Sequence, residues 1–222
     1  RTIQLATIVA VTFAFVAQAS AKKCGGVEMS DTKTIGGQEL VLNGMGLREA
    51  ALNEPWAVAV HGVNRAGFRR GERALVMGAG PIGLMTVYAL RAYGASEIIV
   101  SEPVPHRAGA AGTAGADRVI DPSGTGAEAA LRDAGLRPPS FVFDCAGTQT
   151  SLQEAVACSG VQGCVVVLGI HMGLAPVFAP SASMKEVSLL FSFAYTDREF
   201  GSCLEMLARG VLDPDRLVSG VV

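Results

Sequence analysis

The chain is short of the features that mark several protein classes. Aromatic residues make up 6% of its 222 positions, with a single Trp, and its formal net charge is −2. No basic cluster with interleaved aromatics occurs, so no nucleic-acid partner is expected. Its five cysteines, Cys24, Cys145, Cys158, Cys164 and Cys203, are odd in number and form no CxxC pair. Neither a disulfide framework nor a zinc knuckle is indicated. The three histidines, His61, His106 and His171, are scattered, with no HxH or HExxH spacing. The longest apolar run near the start, Leu5 to Ala17, falls short of the roughly 20 residues a membrane helix needs, so no stable membrane span is expected.

What is abundant points the other way. Half of the chain is hydrophobic and 27 residues are Gly, a composition that suits an α/β protein with buried parallel strands. The length allows one large domain or two small ones.

The most telling segment is Gly78-Ala79-Gly80-Pro81-Ile82-Gly83. Before it, Arg73–Met77 reads as a short buried strand, and after it Pro81–Tyr93 has helical apolar spacing. A second apolar strand, Ile98–Val100, ends at Ser101-Glu102, and Glu102 lies 19 residues beyond Gly83. That is close to the spacing of the dinucleotide fingerprint, about 20 residues. Gly78 permits the tight turn, Gly80 lets the backbone approach a pyrophosphate, and Gly83 lets the helix pack close to the strand. Pro81 suits the first helical turn, and the helix end with Ile82 and Gly83 faces the phosphates. Glu102 would accept from the adenosine ribose hydroxyls and repel a 2′-phosphate, which favours NAD over NADP. Pro103 follows it, so Arg107 is the nearest basic residue. Methyltransferases use a similar strand, loop and acid, and such turns also occur without a ligand. Strand, helix and acid in register favour the nicotinamide dinucleotide.

Further along, strands at Arg118–Ile120, Phe141–Phe143, Cys164–Leu168 and Val187–Phe193 alternate with helices at Arg107–Ala114, Ser151–Cys158 and Phe200–Arg209. A helix at Pro55–Ala66 precedes the first strand. This alternation predicts a Rossmann-type, doubly wound, parallel six-stranded α/β sheet with right-handed crossovers. Ligands of such sheets bind beyond the carboxyl ends of the strands, where strand order reverses. Cys145, Ala146 and Gly147, and likewise Gly169, Ile170 and His171, end strands on that edge and are candidates for the nicotinamide half of the pocket, or are plain turn residues.

The first 50 residues read differently. Leu5–Ala17 followed by Gln18-Ala19-Ser20-Ala21 has the pattern of a secretory signal, or of a buried element of a domain. Thr34–Gly44 reads as two short strands around Gly36-Gly37. Residues 26–48 resemble the opening of bacterial exported chalcone-isomerase-like proteins. The expected organisation is a signal-like segment at 1–21, a short β-rich remnant without its own core at 22–50, and a nucleotide-binding domain at 51–222.

From about residue 51 the chain resembles a second family. Glu54-Pro55 before a helix, the GAGPIG loop, Glu102, Ala114-Gly115-Ala116-Asp117 before Val119-Ile120-Asp121, and Asp144-Cys145-Ala146-Gly147 occur in order. Together they resemble the medium-chain zinc-dependent alcohol and polyol dehydrogenases, including sorbitol, butanediol and threonine dehydrogenase-like members. The resemblance implies NAD as cofactor, pyrophosphate binding by Gly78, Gly80 and Gly83, ribose binding by Glu102, and Arg107 near the adenine. It implies a small alcohol or polyol as substrate and a homodimer through the strand at 187–193, which reads equally as an ordinary buried strand. It puts Glu54 at or beside a catalytic zinc ligand; read from the residues alone, Glu54 is a helix N-terminal acid.

The family's Gly-His-Glu motif and its structural-zinc cysteines are not in this sequence. The expectation is therefore an incomplete or chimeric chain that binds NAD and holds no zinc. Two other readings stand beside it: a non-catalytic dinucleotide-binding remnant, and an exported small-molecule-binding protein. A cytoplasmic location is expected for the dehydrogenase part, whereas the N-terminal segment suggests export.

Overall fold

The computed structural model describes the backbone of residues 23–24, 27–28, 32–35, 38–41 and 44–211, and side chains from residue 52 to 211. The signal-like segment at 1–21 lies outside the described residues. The chain divides into two compact units, Arg1–Glu54 and Pro55–Val222.

In the first unit, β1 (Lys23–Cys24) pairs antiparallel with β2 (Val27–Glu28). Likewise β3 (Thr32–Ile35) pairs antiparallel with β4 (Gln38–Val41), the two strands expected on either side of Gly36-Gly37. Helix α1 runs from Gly44 to Arg65 and carries Pro55 inside it. From sequence this helix is expected to start at Pro55, since proline is commonly the first helical residue. The stretch Leu47–Leu52 is made of good helix formers, and it carries the helix back across that position.

The second unit is built on a six-stranded sheet in the order β10-β9-β8-β5-β6-β7. Its strands are β5 (Arg73–Met77), β6 (Glu97–Ser101), β7 (Arg118–Ile120), β8 (Phe141–Asp144), β9 (Cys164–Val167) and β10 (Ser188–Phe191), and every pairing is parallel. Strands covered on both faces read as unbroken apolar runs rather than alternating ones. The β5 run Ala74-Leu75-Val76-Met77 and the β6 run Ile98-Ile99-Val100 are buried throughout. The chain goes from β5 outward to β7, returns to β8 on the other side of β5, and goes outward again to β10. Strand order therefore reverses between β5 and β8.

The connections are α2 (Pro81–Ala92), α3 (Pro105–Ala114), α4 (Ala127–Asp133), α5 (Ser151–Cys158) and α6 (Ala179–Lys185), with α7 (Asp197–Ala208) after β10. Proline at the first turn starts α2 and α3, and Gly115, at φ 111°, ends α3 in a left-handed cap. One face of the sheet packs Leu75, Ile99, Val142 and Val165 against Leu131 of α4 and Leu152 and Val156 of α5. Helices α4 and α6 have seven residues each. Two turns are too few for apolar periodicity to reveal, so neither helix stands out in the sequence.

Helix α7 is fastened by one carboxylate. Glu199 accepts from Asn64 Nδ2 at 2.9 Å and lies 2.8 Å from His61 Nδ1, both on α1. Its Oε2 also accepts from Thr196 N and Oγ1 at 2.9 and 2.8 Å, closing a capping box. Tyr93 Oη donates to Asn64 Oδ1 at 2.5 Å, which brings the end of α2 into the same network. Burial would raise the Glu199 carboxyl, but the bonds from Asn64, Thr196 and His61 outweigh it and hold the group at about 2. A depressed carboxylate contributes stability above its unfolded value, and that contribution is lost as pH falls toward the folded one. Glu199→Ala is expected to cost about 1–2 kcal/mol at neutral pH. The difference from wild type in thermal melts should shrink between the ordinary carboxyl range near pH 4.5 and about 2.

Candidate functional site

The carboxyl ends of β5, β6 and β8 open onto a cleft of about 550 Å³. It falls at the reversal of strand order, where open parallel sheets bind ligands. Its glycine-rich wall is shaped by sterics. Gly78 leaves β5 at φ 89°, a backbone region that side chains disfavour, and its N–H donates to Ser101 O at 2.8 Å. A Cβ on Gly83 would stand 1.9 Å from Gly78 O, so the first turn of α2 can close on the loop only as glycine. A Cβ on Gly80 would meet nothing within 4 Å, because it would point into open space. Gly80 therefore has no packing role, and it lines the cleft. The N–H groups of the first turn of α2 have no intrahelical acceptor, and the helix dipole adds positive potential there.

Glu102 directly follows β6 and is only 4% exposed. Its Oε2 accepts from Ala79 N at 2.7 Å and its Oε1 from Val104 N at 2.9 Å. The carboxylate thus ties the glycine-rich loop to the start of α3 while lining the cleft. Arg107, exposed on α3, lines the same cleft.

The opposite wall comes from the end of β8 and the start of α5. Cys145 and Ala146 line the cleft, as do Thr148, Thr150, Ser151 and Glu154. Burial pushes the Cys145 thiol up to about 12, its bond with Thr86 opposing and the Asp144 charge assisting, so it is a neutral lining group. No glycine or charge pattern in the sequence flags the polar residues of α5. The one available signal was a helix beginning soon after a strand that ends in Asp144.

The remaining sequence candidates sit elsewhere. Pro81 and Ile82 occupy the first turn of α2 behind Gly80. Gly169 packs on the 146–147 backbone, where an added Cβ would come within 2.4 Å of Gly147 N. Ile170 is exposed, and neither it nor Gly169 lines the cleft. A smaller cleft, of about 350 Å³, lies beside them, lined by Gly147, Thr148, Gln149, His171, Met172, Gly173 and Leu174.

The two cofactors the sequence suggests fare differently. An open glycine, a helix N-terminus and a buried acid around one cleft fit a dinucleotide. Glu54 sits half-buried on α1, and burial raises its carboxyl. Among the described residues no three His, Cys, Asp or Glu side chains converge, so Glu54 has no partners for the three-ligand site that a catalytic zinc needs.

Two glycines separate packing from binding. Gly83→Ala is expected to destabilise the fold by about 2–3 kcal/mol, the cost of overpacking against backbone. Gly80→Ala should melt with wild type and lose affinity for whatever the loop cradles. Thermal melts of both variants, with nucleotide titration of Gly80→Ala, check the pair.

Three comparisons with known proteins agree on the family. A profile described as zinc-binding dehydrogenase matches residues 81–209. A Saccharomyces cerevisiae protein described as a probable (R)-acetoin-forming diacetyl reductase is 36% identical over 173 residues, covering 75% of this chain and 41% of its own length. Sorbitol dehydrogenase of Ovis aries is 32% identical over 174 residues, covering 77% of this chain and 49% of its own. The crystal structure of an Escherichia coli CFT073 protein, described as short chain alcohol dehydrogenase rspB complexed with NADH, superposes with a TM-score of 0.72 at 25% identity, covering 83% of this chain and 55% of that one. The chain spans about half the length of the curated relatives it matches. With the match covering more than half of its residues, on a six-stranded parallel sheet of the same fold, this chain belongs to the zinc-binding dehydrogenase family.

Proposed function

We propose that residues 51–222 form the NAD(H)-binding domain of a medium-chain alcohol or polyol dehydrogenase, with 22–50 a β-rich segment that has no core of its own. The reaction is hydride transfer between a small alcohol or polyol and nicotinamide. The observation that carries this reading is the cleft itself, with open Gly80, the α2 N-terminus and Glu102 around one space at the strand-order reversal. Relatives described as sorbitol dehydrogenase and a neighbour complexed with NADH support it.

When bound, nicotinamide supplies the acceptor or donor of the hydride. The residues of this chain bind and orient. Gly78, Gly80 and Gly83, with Pro81 and Ile82, hold the pyrophosphate through backbone N–H groups and the helix dipole. Glu102 accepts from the adenosine ribose, and Arg107 stands at the adenine end. Cys145 and Ala146 support the dinucleotide from β8, while Gly169 and Ile170 shape the adjoining loop. No chemical step is assigned to Glu54, which lacks metal-binding partners among the described residues. The domain works with the cytoplasmic nicotinamide pool. Among the described residues no helix is long and apolar enough to cross a membrane.

A homodimer is part of the proposal. In the six-stranded sheet β10 pairs with β9 alone, and Phe191 and Phe193 are 63% and 62% exposed. An open apolar edge is a template for pairing with another strand. Phe191→Glu leaves the core untouched and is expected to convert a dimer to a monomer in light scattering. An unchanged mass would remove this edge as the interface.

The binding test is a titration of the purified chain with NADH and NADPH, followed by nucleotide fluorescence. NADH should saturate, with NADPH at least about tenfold weaker, because like-charge juxtaposition at Glu102 costs several kcal/mol. Glu102→Ala should weaken NADH and remove the preference. The same preparation should turn over a small polyol little or not at all. Zinc-dependent oxidation by this chain would contradict that expectation, and absence of binding at millimolar nucleotide would contradict the function.

A further inference from the structure

Asp144, at the end of β8, is fully buried. A carboxylate taken out of water needs its lone pairs met, and it offers about four acceptor sites. Asp144 has four donors around it. Ala146 N and Gly147 N reach Oδ1 at 3.1 and 3.2 Å. Ser151 Oγ and His171 Nε2 lie 3.0 Å from Oδ2. The first three belong to the next seven residues of the chain. The fourth comes from the segment after β9, 27 residues on.

The His171 side chain is 11% exposed, and its Nδ1 is buried with no hydrogen-bond partner among the described residues. A buried N–H without an acceptor is costly, so the proton belongs on Nε2, which donates to Asp144, and Nδ1 is bare. Asp144 thereby selects one tautomer and one orientation of the ring.

This carboxylate stands between the two clefts. Ala146 and Ser151, held by it, line the larger one. Gly147 and His171, held by it as well, line the smaller one. Thr148 borders both. We propose that Asp144 and His171 are a positioning pair that joins the two clefts into one binding surface. The imidazole fastens the 169–174 segment to the carboxylate that shapes the β8–α5 wall of the larger cleft. A ligand that spans both clefts depends on the His171–Asp144 bond, and a ligand confined to the larger cleft does not. This rests on the dinucleotide reading, in which AMP fills only the larger cleft and NADH extends into the smaller.

The experiment titrates the full chain and its His171→Ala and His171→Gln variants with NADH and with AMP by calorimetry, after melts confirm folding. His171→Ala should weaken NADH about tenfold, equivalent to about 1.4 kcal/mol, and leave AMP within about twofold. The Gln side-chain amide falls near the position of Nε2 and donates to Asp144, so His171→Gln should recover most of the NADH affinity. Equal losses for AMP and NADH, unchanged NADH binding, or a Gln variant as weak as the Ala variant would each overturn the pair's role. A wild-type chain that binds neither ligand overturns the dinucleotide reading and the coupling with it. Nitrogen NMR of the wild-type imidazole is independent of ligand and of variant folding. A proton on Nε2 is expected, and a bare Nε2 with the proton on Nδ1 alone overturns the pairing.

Discussion

Two buried carboxylates, Glu102 and Asp144, govern the shape of this molecule's cleft. They stand at the carboxyl ends of the strands that flank β5 on either side, Glu102 just after β6 and Asp144 as the last residue of β8, with exposures of 4% and 0%. A carboxylate in such a place persists only with hydrogen-bond donors around it, and the nearest donors are loop backbone amides. Glu102 takes Ala79 N and Val104 N; Asp144 takes Ala146 N and Gly147 N. Each therefore fixes the loops beside it. Secondary structure alone would leave those loops free to sample several conformations, whereas satisfying both acids leaves far fewer. The cleft is thus largely formed before any ligand arrives, and the cost of ordering it belongs to folding rather than to binding.

The glycines solve a complementary problem. Gly83 and Gly169 sit where any side chain would collide with neighbouring backbone, at 1.9 and 2.4 Å. They set how closely α2 approaches the β5 loop and how closely the loops after β8 and β9 approach each other. Gly80 meets no such wall. Steric glycines and acid-bound amides act together: close approach brings the amides within reach of the acids, and the acids hold the approach. Replacing one element strains the other, so the cleft behaves as one packed unit.

Much of this was legible in the sequence because it is local. The apolar run 74–77, the GAGPIG loop and the acid at 102 lie within 30 residues, and each obeys a short-range rule of turn or strand chemistry. All six strands fall where their apolar runs predict them. The role of Asp144 was not legible, since its fourth donor is a histidine 27 residues away whose nearness depends on β8 pairing with β9. The polar groups of α5 were hidden for the same reason: a helix start shows its type in sequence, but not which cleft it faces. The long α1 was shortened by a correct local rule, proline at a helix start, applied where stronger helix-forming neighbours prevailed.

The same accounting bears on how the proposed site would tell one nucleotide from another. Each oxygen of Glu102 already accepts one amide, which leaves about one lone pair on each. A ribose diol offers two O–H donors and can meet both. A 2′-phosphate is close to dianionic at neutral pH and brings acceptors where donors are needed. Arg107 lines the cleft from α3, but it is exposed, so water screens its charge, whereas Glu102 is buried. In the proposed site the discrimination would therefore be one of hydrogen-bond polarity at a nearly dry carboxylate rather than of size. A larger ligand could be admitted by moving a flexible loop. An acceptor facing an acceptor would be admitted only by removing the acid, which would leave the amides of Ala79 and Val104 without their partner.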